Sequence, residues 1–318
     1  MANEKQVKGI SIERKNKPAP KKSLGKNARK ALTFVESVLI LAFSFSVVFL
    51  GINFFFDQKS EKKMNDIRAE VKASRLQFEK ISIPEEEKKQ NNGKKEKRIE
   101  PANSNKTAGA ATADLSDEDV LPVYKKLHEE NENFAGWLYV DGTNLEYPIM
   151  QGPDNKFYLS HDIDGAYDKY GMLILDENCN IAYECPQLII YGHNVNSGKL
   201  FGELLFYKEE AYCKYHPEIC FDTIYNRGTY TVFAVVTTTV NEAEKDGKMF
   251  SNWNFADKKT YDDFVSWAKS RSLYQIDYTP KYKDEILSLV TCEHSDDEGR
   301  FIVFAARNDT LREEGNQQ

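Results

Sequence analysis

ILSLVTCEHSDDEGRFIVFAAR, residues 286–307, consists of two runs of β-branched, aliphatic and aromatic residues on either side of a short polar loop. Such runs, bounded by charged residues and a Gly, read as two strands joined by a turn. The first strand ends at Thr291-Cys292 and the second opens at Arg300. Strand ends and the loops beside them are where a scaffold holds reactive groups both firmly and exposed.

Working outward, the same signature recurs at Trp137–Val140, Tyr147–Met150, Met172–Leu175, Leu188–Tyr191 and Thr229–Val240. Helical segments are few. SDEDVLPVYKKLHEENEN (116–133) reads as an opening helix capped by Ser116, with Val120, Val123, Tyr124 and Leu127 on one face. Residues 154–161 and 200–216 read as short helices, and Tyr261, Phe264, Val265 and Ala268 make a stripe at helical spacing. Many strands with few crossover helices predict a mostly β fold, a closed or nearly closed barrel, over a doubly wound sheet.

Upstream of this domain the chain changes character. Ser37–Phe56 is twenty residues without a charge, about 30 Å as a helix, which matches a bilayer core. Residues 1–30 carry ten Lys/Arg against Glu4 and Glu13, whereas from Asp57 onward 47 acidic residues face 33 basic ones. The basic arm predicts a cytoplasmic N-terminus, a single-pass anchor over 31–56 in contact with membrane lipid, and an extracellular remainder. The apolar run ends in Asn53, Phe54, Phe55, Phe56 and Asp57, without the small residues of a cleavage site. Residues 57–116 hold one aromatic, Phe78, and the tract KKQNNGKKEKRIEPANSNKTAGAATA, so they read as a flexible charged stalk, with Met64, Ile67 and Val71 at helical spacing. All seventeen Tyr and three Trp follow, placing the folded domain at 117–318. The net charge of −7 argues against a nucleic-acid partner.

Five cysteines fall on the outward side: Cys179, Cys185, Cys213, Cys220 and Cys292. Cys179/Cys185 and Cys213/Cys220 are close enough in sequence to pair locally, though about 200 residues supply a core that does not require it. Cys213, His216 and Cys220 lack the CxxC pairs of structural zinc sites, and no metal or cofactor is expected. Cys292 differs by its place at a strand end. A thiol there needs a base or a cation to become a nucleophile at neutral pH. His193 is the first choice of base, because LIIYGHN runs an apolar strand straight into Gly192-His193-Asn194. His294 competes by proximity, and His128, His161 and His216 read as ordinary helix or loop residues. Arg300 offers a planar fork of donors for an oxyanion, or an ion pair with Asp296, Asp297 or Glu298.

These residues carry a resemblance. YGHN at 191–194, LVTC at 289–292 followed by Arg300, and YPIMQGPDNKFYLSHDIDG at 147–165 are similar to the sortases, most closely class B, over residues 120–307. The order His, Cys, Arg separates the chain from papain-like peptidases, in which Cys precedes His. The resemblance implies a closed sortase-type barrel of about eight strands, with a helix-containing insertion before the cysteine strand. It implies Cys292 as nucleophile, His193 as general acid and Arg300 as oxyanion stabiliser. Asn155, Tyr158 and Leu159 match an element lining the sorting-signal groove, and Val290, Thr291 and Glu293 match positions that contact bound peptide. The family's common TLxTC departs here to Ser288-Leu289-Val290-Thr291-Cys292.

The implied activity is that of a membrane-anchored cysteine transpeptidase. It cuts a C-terminal sorting motif of secreted surface proteins and transfers the acyl group to a peptidoglycan amine, or alternatively to a pilin Lys amine. A membrane-tethered binding module, with Cys292 a structural thiol, is the non-enzymatic alternative.

Overall fold

The structure, a computed structural model, describes residues 26–82, 119–183, 185–241, 255–292 and 299–308. The chain divides into two compact units, one up to Lys59 and one from Ser60 onward. Helix α1 (Lys26–Ser82) begins in the first, where it contains a stretch long and apolar enough to cross a membrane. Its large apolar side chains between Phe34 and Phe56 are exposed, Leu41 and Phe43 by about 70%, as a membrane span requires.

The second unit is built on eight strands: β1 (Phe134–Tyr139), β2 (Glu146–Met150), β3 (Leu173–Leu175), β4 (Gln187–Gly192), β5 (Glu218–Thr223), β6 (Thr229–Thr239), β7 (Ile286–Cys292) and β8 (Gly299–Arg307). They close into a barrel in the order β1-β2-β3-β4-β7-β8-β6-β5. The pairs β2·β3 and β4·β7 are parallel and the others antiparallel. Closure removes the exposed edges of an open sheet.

Alternation along the strands divides the core. Leu287 and Leu289 of β7, with Phe301, Val303 and Ala305 of β8, pack into the barrel interior. Ile286, Val290, Ile302 and Phe304 point outward, where helix α4 (Lys258–Arg271) covers them with Tyr261, Phe264, Val265 and Ala268. That helix has the stripe expected from sequence. It starts at Asp257, whose carboxylate accepts from the Thr260 backbone N–H at 2.8 Å.

Three local readings shift. The opening helix is short, α2 (Lys125–Glu130), because Pro122 disfavours helix in the residue before it, and Leu121 N–H bonds instead to Ile224 O at 2.7 Å. Val120, Val123, Tyr124 and Leu127 are nevertheless all buried. The 154–161 segment reduces to a 3-10 turn at Phe157–Leu159, and 200–216 becomes a 3-10 segment at Glu203–Lys208 followed by α3 (Glu210–Tyr215). Strand β5, EICFDT, is not among the expected runs.

The beginning of the segment read as a stalk is ordered. Residues 60–82 continue α1 and pack on the barrel: Val71 is buried, Met64 and Ile67 lie against the core, and two arginines stack on tyrosines. Arg68 lies 4.7 Å from the Tyr147 ring centre and Arg75 4.4 Å from that of Tyr139. Arg75 Nη2 donates to the Tyr124 hydroxyl at 2.7 Å, and that hydroxyl donates to Asp222 Oδ2 at 2.6 Å. Burial pushes the Asp222 carboxyl up, while the bonds from Tyr124 and the Arg75 charge pull it back. Long cationic side chains here cover apolar surface, which a composition count scores as solvation. A cleft between this helix and the barrel is lined by ion pairs, Lys63 with Asp162 and Lys199 with Glu61. Residues 83–116, the rest of the expected stalk, and residues 1–25 of the basic arm lie outside the described residues.

Candidate active site

The parallel pairing of β4 with β7 decides where chemistry can occur. Tyr191 lies opposite Val290 and Gly192 opposite Thr291, so β7 runs one residue past the end of β4. On the other side of β7, Thr291 pairs with Phe301 and Cys292 with Arg300. His193 follows directly on Gly192, and Cys292 on Thr291, at the same end of the barrel. Neighbouring strands lie about 4.8 Å apart, so the backbones at Cys292 and Arg300 are adjacent. Residues about a hundred positions apart, Gly192 and Thr291, are paired through sheet register.

Two contacts fix this edge. Thr291 Oγ1 donates to Gly192 O at 2.7 Å, locking the last residue of β4 to the residue before the cysteine. His193 Nε2 lies 2.9 Å from Leu159 O. A carbonyl only accepts, so Nε2 carries the hydrogen, and Nδ1 is the nitrogen whose protonation can change. Gly192 leaves no room for a side chain. A Cβ there would overlap Leu173 Cδ2 and lie 2.8 Å from Phe201 Cδ2, both in the barrel interior. Gly192→Ala is therefore expected to cost about 1–3 kcal/mol by overpacking. It should also displace the following His193, so thermal unfolding and turnover measured on one preparation should both fall.

The structure also holds a buried carboxylate that sequence reading did not find. Asp176, at the end of β3 and 1% exposed, accepts at Oδ2 from Asn155 Nδ2 and from the Tyr191 hydroxyl, each at 3.0 Å. Its Oδ1 accepts from the Asn178 backbone N–H at 2.9 Å and Nδ2 at 3.0 Å. Burial and the Asp176 charge push the Tyr191 hydroxyl up, keeping it a donor, and the Arg300 charge opposes them. Arg300 Nη1 also donates to Gly299 O at 2.9 Å.

The expected peptide-contacting residues separate into two groups. Tyr158, Val290 and Thr291 are buried, at 2%, 3% and 2% exposure. The Tyr158 hydroxyl accepts from Asn131 Nδ2 at 2.9 Å and Asn133 Nδ2 at 3.2 Å, and Val290 belongs to the core under α4. Asn155 and Leu159 are half-buried. The Asn155 amide is engaged by Asp176 and by the Glu177 backbone N–H, and Leu159 acts through its carbonyl on His193. Glu293, His294, Asp296, Asp297 and Glu298 lie outside the described residues. His128, His161 and His216 hydrogen-bond the backbone carbonyls of Phe134, Phe157 and Asp141.

The family model described as the sortase domain matches residues 138–308, all eight strands but the start of β1. The chain belongs to the sortase family. Over 190 residues it is 30% identical to sortase B of Staphylococcus aureus, covering 59% of this chain and 75% of that protein. It is 27% identical to sortase B of Listeria monocytogenes over 199 residues, 62% of this chain and 78% of the relative. The solved Staphylococcus aureus sortase B-substrate complex superposes with a TM-score of 0.55 at 28% identity, covering 59% of this chain and 86% of the other. These relatives place this sortase in class B, among cysteine transpeptidases, and the closed eight-stranded barrel with its N-terminal helix is the fold the resemblance implied.

Proposed function

We propose that Cys292 is the nucleophile of this sortase, His193 its proton carrier and Arg300 its oxyanion donor. The observation that supports the reading is the register, in which Gly192, the residue before His193, pairs with Thr291, and Cys292 pairs with Arg300. The Cys292 thiolate attacks the scissile carbonyl of a sorting motif, and negative charge gathers on the carbonyl oxygen. The Arg300 guanidinium donates to that oxygen. The tetrahedral adduct collapses to a thioester and expels an amine, which His193 protonates. An incoming amine then attacks the thioester, its proton passes to His193, and Cys292 leaves as a thiolate.

The donor is a C-terminal sorting motif of a secreted surface protein and the acceptor a peptidoglycan amine. The apolar part of α1 acts as a single-pass anchor. The basic arm before it is held in the cytosol by the positive-inside rule, and the catalytic domain faces outward. That placement keeps the enzyme within reach of both substrates.

The test uses the full chain in detergent micelles, a panel of quenched sorting-motif peptides, and a peptidoglycan-type amine present or absent. The expected result is one preferred motif, with product shifting from free acid to amide as amine is added. Free acid alone at every amine concentration would instead mark a hydrolase.

A further inference from the structure

Eleven residues join β3 to β4, and two of them are cysteines that the proposed reaction does not use. Cys179 Sγ lies 3.5 Å and Cys185 Sγ 3.0 Å from a single acceptor, Gln187 O, so one carbonyl oxygen draws the two sulfurs together. Cys179 is buried and Cys185 half-buried, so one sulfur is shielded and the other reachable. The loop is held at its base, where Gln151 Nε2 donates to Asp176 O at 2.9 Å and to Cys179 O at 2.6 Å. Cys213 on α3 and Cys220 on β5 instead lie beside tyrosines, Tyr274 and Tyr139. Cys213 and Cys220, although seven positions apart, are therefore not a pair.

We propose that Cys179 and Cys185 form a redox-active dithiol that takes a disulfide as its oxidant and closes to an intramolecular disulfide across the β3–β4 loop. The Cys185 thiolate attacks one sulfur of the oxidant RSSR, the oxidant's S–S bond breaks, and one RS⁻ leaves. Cys179 then gives up its proton and attacks Cys185 Sγ in the mixed disulfide, expelling the second RS⁻. The protein loses two electrons and two protons, which leave on two RSH. Hydrogen bonding from Cys179 holds the Cys185 thiol below its ordinary value, whereas the same contact and burial push Cys179 up. Cys185 is thus the attacking sulfur and Cys179 the resolving one. Because the loop continues from Asp176, which accepts from Tyr191 and Asn155, closure stiffens the turn that holds these two side chains. The assignment rests on the loop and not on the roles proposed for Cys292, His193 and Arg300.

The experiment uses the full chain carrying Cys292→Ala, which removes the fifth thiol, in detergent micelles. Oxidised glutathione is the probe, followed by alkylation and non-reducing peptide mass mapping. The expected product is a Cys179–Cys185 cross-link two hydrogens lighter than the dithiol, with Cys213 and Cys220 alkylated. Without oxidant, Cys185 should alkylate first of the four at neutral pH. The cross-link should raise Tm by about 5 °C, reversed by a reductant, since it closes a short loop. Cys185→Ser should abolish both cross-link and shift. A stable glutathione adduct on Cys185 with Cys179 alkylated, or both thiols alkylated after oxidation, would overturn the proposal.

Discussion

Cys292→Ala is expected to lower peptide turnover by about 10³-fold or more, because neither His193 nor Arg300 can form the thioester and both act on a bond it must first attack. The loss should appear in kcat. Peptide binding and Tm should stay near wild type, since β7 is held by its pairing with β4 and β8 and by the Thr291 bond to Gly192 O. Steady-state kinetics of the full chain beside a thermal melt checks both. A variant that still cuts the preferred peptide within tenfold of wild type would remove Cys292 from the chemistry.

His193→Ala carries the second largest effect, a fall of about 10²–10⁴-fold in kcat, the range for losing a positioned general acid. The amine leaving group then departs without its proton, so acylation slows while the thiol at 292 remains. Alkylation of Cys292 should therefore still proceed in this variant, which separates loss of proton transfer from loss of the nucleophile. Stability should fall by only about 1 kcal/mol, the contribution of the single bond to Leu159 O. His294→Ala, by contrast, should leave kcat within a few-fold of wild type. Stopped-flow acylation and alkylation mass shifts on the two variants distinguish these outcomes.

The legible part of this fold was its strand ends. LIIYGHN and ILSLVTC are apolar runs that stop at a polar residue, and a stopping strand marks a sheet edge whether or not its neighbours are known. The three candidate residues could thus be picked out before any pairing was available. The pairing of their strands could not, because parallel register between β4 and β7 depends on the whole barrel closing. Strand β5 was obscured by composition: Ile219 and Phe221 alternate, but Pro217 and Asp222 break the pattern, and Asp222 is buried only because Tyr124 and Arg75 reach it from distant segments.

The same non-local logic hid Asp176, whose partners Asn155 and Tyr191 lie 21 and 15 positions away. It also explains the residues expected to touch substrate. Tyr158, Val290 and Thr291 sit within motifs that resemble the family's, yet a motif marks a neighbourhood and not which side chains face outward. In this structure all three side chains are buried. At 60–82 the apolar spacing of Met64, Ile67 and Val71 is masked by the surrounding charge. The arginines that suggested solvent instead stack on barrel tyrosines.

The most direct measurement is the intact mass of the full chain after brief mixing with its preferred peptide and acid quench, with no amine acceptor present. The account predicts a single added mass equal to the acyl portion of the peptide. That mass should map to Cys292, be discharged by hydroxylamine and be absent from Cys292→Ala. Cleaved peptide with no covalent adduct at any quench time, or an adduct that maps to another residue, would contradict it.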